Sequence, residues 1–253
     1  MRNFAAPHVT LITGASTGIG AAAAAEFATL GSRVAVHYNS SESAAQQVAA
    51  KIAQAGGRAD LFQADLSNAA AARGLVAQVL ETCGRIDALV NNAGSLVARK
   101  LLLEITDDFW QQVMDINVNS VLWVTQEAVK HMKQRGSGAV INISSIAARN
   151  GGGPGAMAYA AAKAAVTCMT KNMARELIAH GIRVNAVNPG VILTPFHERF
   201  SSEERMKAMV STIPQGRAGV PDEISGVIAF LASDSASHIV GESIEVNGGM
   251  LMD

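Results

Sequence analysis

Cysteine is almost absent from this chain. Its 253 residues include two, Cys83 and Cys168, far apart in sequence. They form neither a disulfide framework nor a metal-ligand spacing, so a reducing, cytoplasmic setting is expected. Charge is sparse as well. Only 16% of residues are charged, 20 basic against 21 acidic, with no run of one sign. That pattern argues against a nucleic-acid or anionic-membrane surface. No apolar run is long enough to span a bilayer. Residues 1–8 lack the charged-then-apolar order of a signal peptide. A soluble protein with no membrane partner is expected. His37, His131, His180, His197 and His238 have no metal-ligand spacing, so they are expected at the surface and no metal site is expected. Aromatics make up 4% of the chain, whereas hydrophobic residues reach 49% and glycines number 23. Such a core is built of Ala, Val, Ile and Gly, as in a tightly packed α/β sheet.

Strand-like and helix-like segments alternate from end to end. Val9–Thr13 is a short apolar run of the kind buried in a parallel sheet. Gly14, Ser16, Thr17, Gly18, Ile19 and Gly20 lie in the turn that follows it, and an alanine run then opens a helix. A strand, a glycine turn and a helix N-terminus offer free backbone N–H groups to an anion such as a pyrophosphate. Arg33–Tyr38 reads as the second strand, 41–55 as a helix stopped by Gly56, and 59–63 as the third strand. Asp65 fits two roles there, binding an adenine amino group or capping the helix of 69–83. Residues 87–90 form the fourth strand and run into Asn91, Asn92, Ala93 and Gly94. The helix expected over 106–135 is unusually long, so an irregularity is expected near Asn117. Strands at 139–143, 182–187 and 242–246 complete the pattern, with helices at 157–180 and from Pro221. This alternation indicates one α/β domain over 1–253, a parallel sheet covered on both faces. Its strand ends share one edge, and ligands bind there.

On the helix of 157–180, Tyr159 and Lys163 are one turn apart on one face. A free phenol has a pKa of about 10 and is a poor acid or base at neutral pH. A neighbouring ammonium favours the phenolate and is expected to lower that value. The pair can then exchange a proton with a carbonyl or an alcohol. An ordinary surface Tyr and surface Lys would look the same in isolation.

Thr13-Gly14-x-x-x-Gly18-Ile19-Gly20, Asn91-Asn92-Ala93-Gly94, Asn117, Ser145, Tyr159-x-x-x-Lys163 and Pro189-Gly190 with Thr194 occur in this order. The ordered set resembles the classical short-chain dehydrogenase/reductase family over essentially the whole chain. The resemblance implies a Rossmann fold, a doubly wound sheet of strand order 3-2-1-4-5-6-7. It implies Tyr159 as general acid or base, Lys163 as its tuner and a nicotinamide-ribose ligand, Ser145 on the substrate oxygen, and Asn117 as support for a water near Lys163. Ser144 is the alternative serine, because the interval to Tyr159 is one residue longer than in common relatives. Further cofactor contacts implied are Tyr38, Asn39, Ser40, Asp65, Leu66, Asn92, Ala93, Gly94, Pro189, Gly190, Ile192 and Thr194. Asn91 is expected to stabilise the sheet edge through backbone bonds.

The expected activity is hydride transfer between a nicotinamide cofactor and a carbonyl/secondary alcohol pair. The substrate is a small molecule, a 3-oxoacyl thioester or alternatively a sugar, polyol or small ketone. A non-catalytic dinucleotide sensor is the competing class, disfavoured by the presence of both Tyr159 and Lys163. NADP(H) is expected over NAD(H), with NAD(H) use still open. No acid follows strand two before Glu42, so nothing there repels a ribose 2′-phosphate. Carrier-protein reductases of the family present an Arg where His180 stands, although Arg135 lies near their other basic site. A lid is expected around 194–213, with Met206 and Met209 as candidate pocket residues beside Met250 and Met252. Small residues around the helix of 157–180, among them Ala161, Ala162, Ala164 and Ala165, point to a homo-oligomer, a tetramer by resemblance.

Overall fold

Seven short runs of β-branched and small apolar residues form the sheet: β1 (Val9–Ile12), β2 (Arg33–Tyr38), β3 (Arg58–Gln63), β4 (Ala88–Asn91), β5 (Gly138–Ile143), β6 (Ile182–Pro189) and β7 (Ser243–Val246). The computed structural model describes residues 4–252. All strand pairings are parallel, in the order β3-β2-β1-β4-β5-β6-β7. The expected strand order is therefore present.

Among the described residues the crossovers supply ten α-helices: α1 (Gly18–Thr29), α2 (Glu42–Gln54), α3 (Ala69–Cys83), α4 (Asp107–Met114), α5 (Ser120–Arg135), α6 (Ala147–Asn150), α7 (Met157–Leu177), α8 (Pro195–Phe200), α9 (Glu203–Ser211) and α10 (Pro221–Ala232). One core lies between the sheet and α1, α2 and α10, around Phe27, Ile52 and Ile228. The other lies between the sheet and α3, α5 and α7, around Leu75, Met132 and Leu177. Strand alternation sorts β2 between them: Val34, Val36 and Tyr38 face the first core and Ala35 the second.

The irregularity expected near Asn117 is a π-helical turn, Asp115–Asn119, between α4 and α5. Asn91 acts through its side chain rather than its backbone alone. Its amide donates to Thr125 Oγ1 and Asn142 Oδ1, both at 2.9 Å, and Asn142 donates to Thr170 Oγ1 at 2.8 Å. This buried chain of amides and hydroxyls pins β4 and β5 to α5 and α7. The segment expected to form a lid folds as α8 and α9. Among the described residues, no helix is long and apolar enough to cross a membrane.

Candidate active site

The strand C-terminal ends open into one cavity of about 820 Å³. At one end is the turn between β1 and α1. Gly14 and Gly18 have φ of +63° and +55°, a region that disfavours any Cβ. A Cβ on Gly20 would collide with the Gly14 carbonyl and lie 2.5 Å from the Asn92 amide. Gly20 therefore does not line the cavity; it lets the helix start press against the turn. The first turn of α1 has no capping side chain and no acid, whereas Asn68, Thr106 and Ser202 cap α3, α4 and α9. Its N–H groups are left for an anion. Thr13 Oγ1 accepts from the backbone N–H groups of Asn92 and Ala93 at 2.9 and 3.0 Å, and Asn92 Nδ2 donates to the carbonyls of Thr13 and Gly14. The loop after β4 is thereby fixed beside the glycine turn. Cradle, donors and volume fit a dinucleotide.

At the other end, Ser145, Tyr159 and Lys163 converge on the same wall. Ser145 Oγ accepts from the Ala147 N–H at 3.1 Å and hydrogen-bonds the Tyr159 phenol. The Ser144 hydroxyl is occupied, donating to the Lys163 carbonyl at 2.9 Å and meeting Thr167 Oγ1 at 2.9 Å. The geometry thus gives Ser145, not Ser144, the free face toward the tyrosine. Lys163 is 3% exposed and donates to the Ile143 carbonyl at 2.8 Å. Its Nζ is 5.6 Å from the centre of the Tyr159 ring. Asn117 is fully buried and does not line the cavity. Its side chain donates to the carbonyls of Ser95 and Val113 and accepts from the Ser95 N–H. A Cβ on Gly94 would lie 2.7 Å from Asn117 Oδ1 and 3.1 Å from Lys163 Nζ, so Gly94 lets the loop settle on both.

The direction expected for the Tyr159 pKa is reversed. Burial pushes the phenol up to about 12, and the bond to Ser145 only partly offsets this. The Lys163 ammonium donates to the Ile143 carbonyl, and burial of the phenol decides the direction. Burial in turn brings the Lys163 ammonium down to about 8.

Ser16, Thr17, Ile19, Asn39, Ser40, Leu66, Asn92, Ala93, Pro189, Gly190, Ile192 and Thr194 line the cavity, with Gly14, Gly18 and Gly94. Three expected contacts do not: Gly20, Tyr38 and Asp65. Tyr38 is 7% exposed and packs in the core with Val36 and Ala45, because alternation along β2 turns it inward. Asp65 is exposed, and its carboxylate accepts from the backbone N–H and hydroxyl of Ser67, leaving Asn68 to cap α3. The period of two in β2 already held the signal for Tyr38. Met209 and Met250 reach the cavity, Met206 packs behind it, and Met252 is 74% exposed.

Five wall residues with a bearing on the site, His37, Arg99, Phe196, His197 and Arg205, escaped the sequence reading. His37 is buried rather than superficial. Its Nδ1 accepts from the Gly14 N–H and its Nε2 donates to the Ala64 carbonyl, both at 3.0 Å. Burial lowers its pKa, so it is a neutral brace for the glycine turn. Phe196 of α8 lies 5.6 Å from the Tyr159 ring. Arg99 and Arg205 enter from the loop after β4 and from α9. His197 also lines the cavity, while His180 and His238 are exposed as expected. Among the described residues, no Asp or Glu lines the cavity and no cluster could hold a metal.

Comparison with known proteins agrees with this geometry. A family profile described as enoyl-(acyl carrier protein) reductase matches residues 14–251. A 3-oxoacyl-[acyl-carrier-protein] reductase of Synechocystis is 42% identical over 246 residues, 97% of each chain. A dehydrogenase/reductase of Sinorhizobium meliloti superposes with a TM-score of 0.92 at 33% identity, over 98% of this chain and 96% of that one. An NAD(P)-dependent gluconate 5-dehydrogenase of Beutenbergia cavernae, described as putative and with bound NADP, gives 0.91 at 33% identity over 97% of each chain.

Proposed function

Because the chain belongs to the short-chain dehydrogenase/reductase family and is an NAD(P)-dependent oxidoreductase, we propose that it reduces the ketone of a 3-oxoacyl thioester through Ser145, Tyr159 and Lys163. The observation that carries this reading is the meeting of those three residues at one end of a cavity whose other end is the glycine turn. The name of the Synechocystis relative supports the substrate class.

A nicotinamide cofactor held between the glycine turn and Lys163 would supply the hydride for the ketone carbon. Ser145 holds the substrate oxygen, the one hydroxyl of the serine pair free to do so. Tyr159 delivers its proton to that oxygen as charge builds there. A phenol held near 12 is fully protonated at neutral pH, as a reduction requires. Lys163, positive below about pH 8, stabilises the phenolate that remains. Asn117 acts as a positioning residue, holding the loop on which Gly94 meets Lys163.

NADP(H) is the preferred cofactor in this reading. Asn39, Ser40 and Ser41 are exposed on the cavity wall, and the nearest acid, Glu42 in the first turn of α2, does not line it. A free small thioester suits the site better than a carrier protein docked at the expected basic position. Arg135 there is held by Asp87 at 2.7 Å and by the Ile86 carbonyl. A homotetramer is the proposed assembly. On the outer face of the first half of α7, Met157, Ala161 and Cys168 are exposed and Ala164 and Ala165 partly so, without a polar stripe. Light scattering at micromolar concentration tests it, and a monomer mass overturns it.

Nicotinamide absorbance with acetoacetyl thioester and NADPH tests the activity. Oxidation of NADPH is expected. Turnover of polyols or sugars alone would move the assignment to the gluconate-dehydrogenase side of the family.

A further inference from the structure

Two guanidinium groups meet at the substrate end of the cavity with no acid to balance them. Arg99 donates through Nε to the Phe200 carbonyl at 2.7 Å and through Nη1 to the Pro154 carbonyl at 3.2 Å. Arg205 reaches the same Pro154 carbonyl from α9, at 3.4 and 3.5 Å. Both are half-buried and both line the cavity. Neither forms an ion pair among the described residues; the nearby acid Glu203 is taken by Lys207. Their partners are neutral carbonyls, which orient a guanidinium without cancelling its charge.

Such a pair is costly as it stands. Burial, together with the like charge of Arg205, lowers the Arg99 pKa, and burial and Arg99 lower that of His197 beside them. Half-buried charges are ordinarily paired. Here the carboxylate-free cavity wall offers none, which leaves the pair open to an anionic ligand. The position also fits a ligand. Arg99 is fastened to the carbonyl end of α8, the helix that sets Phe196 over Tyr159. Phe200 and Phe196 pack edge to face at 5.0 Å, so an aromatic wall joins the arginines to the tyrosine. Each guanidinium keeps N–H groups unused by protein, in the planar fork that grips an oxyanion.

We propose that the carbonyl substrate itself carries an oxyanion, a carboxylate or a phosphate, which Arg99 and Arg205 bind while its ketone faces Tyr159. The inference rests on the reductase reading and narrows its substrate class. It makes Arg99 and Arg205 specificity determinants.

The test uses the NADPH-loaded protein, so that the cofactor's own phosphate sites are filled. Titration calorimetry with malonate and, separately, with inorganic phosphate reads binding directly. Heat from malonate assigns a carboxylate and heat from phosphate assigns a phosphate, provided it is lost in the Arg99→Met/Arg205→Met variant. Arg205→Met alone, which gives up only long contacts to Pro154, serves if the double variant does not fold. Acetoacetate and its neutral methyl ester then give a kcat/KM ratio. The ratio is expected to favour the anion about tenfold and to fall toward one in the variants through KM. Anion binding without reduction of either ketone would overturn the reductase reading and leave the anion site standing. No binding of either anion, or a ratio the variants do not move, overturns the anion site.

Discussion

The Lys163 ammonium donates to the main-chain carbonyl of Ile143 at 2.8 Å. That bond ties α7 to the end of β5, two residues before Ser145, and so couples the distance between Tyr159 and Ser145 to a buried charge. Burying an ammonium lowers stability, and the sign is explicit. The Lys163 pKa falls from 10.5 unfolded to about 8 folded. The unfolded chain therefore binds more protons between those values, and stability rises as pH climbs from about 8 toward 10.5.

Lys163→Met is accordingly expected to abolish turnover while raising thermal stability at pH 7. The relieved burial is worth on the order of 2–3 kcal/mol, less about 1 kcal/mol for the orphaned Ile143 carbonyl. Melting curves of the two proteins check this. A melting temperature well below that of the native protein would show that Lys163 is a structural asset instead.

Activity should follow the same group. kcat/KM for reduction is expected to be level near neutrality and to decline as pH rises through about 8, where Lys163 loses its charge. Lys163→Arg, if it folds and turns over, should carry the decline to higher pH. A profile level to pH 10 would detach Lys163 from the chemistry.

Gly20→Ala is expected to weaken NADPH binding at least about tenfold, because the new Cβ meets the Gly14 carbonyl and forces the turn open. Gly74→Ala in α3 is the control. Nothing lies within 4 Å of a Cβ there, and alanine favours a helix. Fluorescence titration of both variants decides it, and equal affinities would contradict the cradle.

Much of this site could be read from the sequence, for physical reasons. Buried parallel strands are short apolar runs, so β1, β2, β5 and β6 stand out, and their ends must share an edge. The overlong helix around Asn117 announced its π turn. Other features depend on which partner a side chain meets, and spacing does not encode that. Ser144 and Ser145 are neighbours of one type, and only the Lys163 carbonyl and Thr167 take Ser144 out of contention. His37 is on the cavity side of β2, yet its bridge from Gly14 to Ala64 needs three separate strand ends. Arg99 and Arg205 are on a loop and on α9, where no periodicity links them.

Cofactor choice is tested where the wall is exposed rather than at the buried Tyr38. Ser40→Asp places a carboxylate beside the expected 2′-phosphate. The kcat/KM ratio of NADPH to NADH should drop at least about tenfold. An unchanged ratio would place the ribose elsewhere along the wall.

Asp87 locks the far end of the sheet. It accepts from Arg85 at 2.6 Å, the Val9 N–H at 2.8 Å and, as an ion pair, Arg135 at 2.7 Å. Burial raises its pKa, but these bonds outweigh that and hold it below the usual carboxylate range. A depressed carboxyl stabilises the fold above its unfolded pKa of about 3.9 and loses that contribution as pH falls further. Asp87→Asn should cost about 2 kcal/mol at pH 7 and flatten the acid limb of stability. Denaturation midpoints at pH 7 and below pH 4 report it; an unaltered midpoint at pH 7 would deny Asp87 this role.

The central claim is that the Tyr159 phenol supplies the proton. Its most direct test is Tyr159→Phe, followed by NADPH absorbance with acetoacetyl thioester and by NADPH titration. Turnover is expected to fall by at least about a hundredfold while NADPH affinity stays within a few fold. Turnover near that of the native protein would contradict the account.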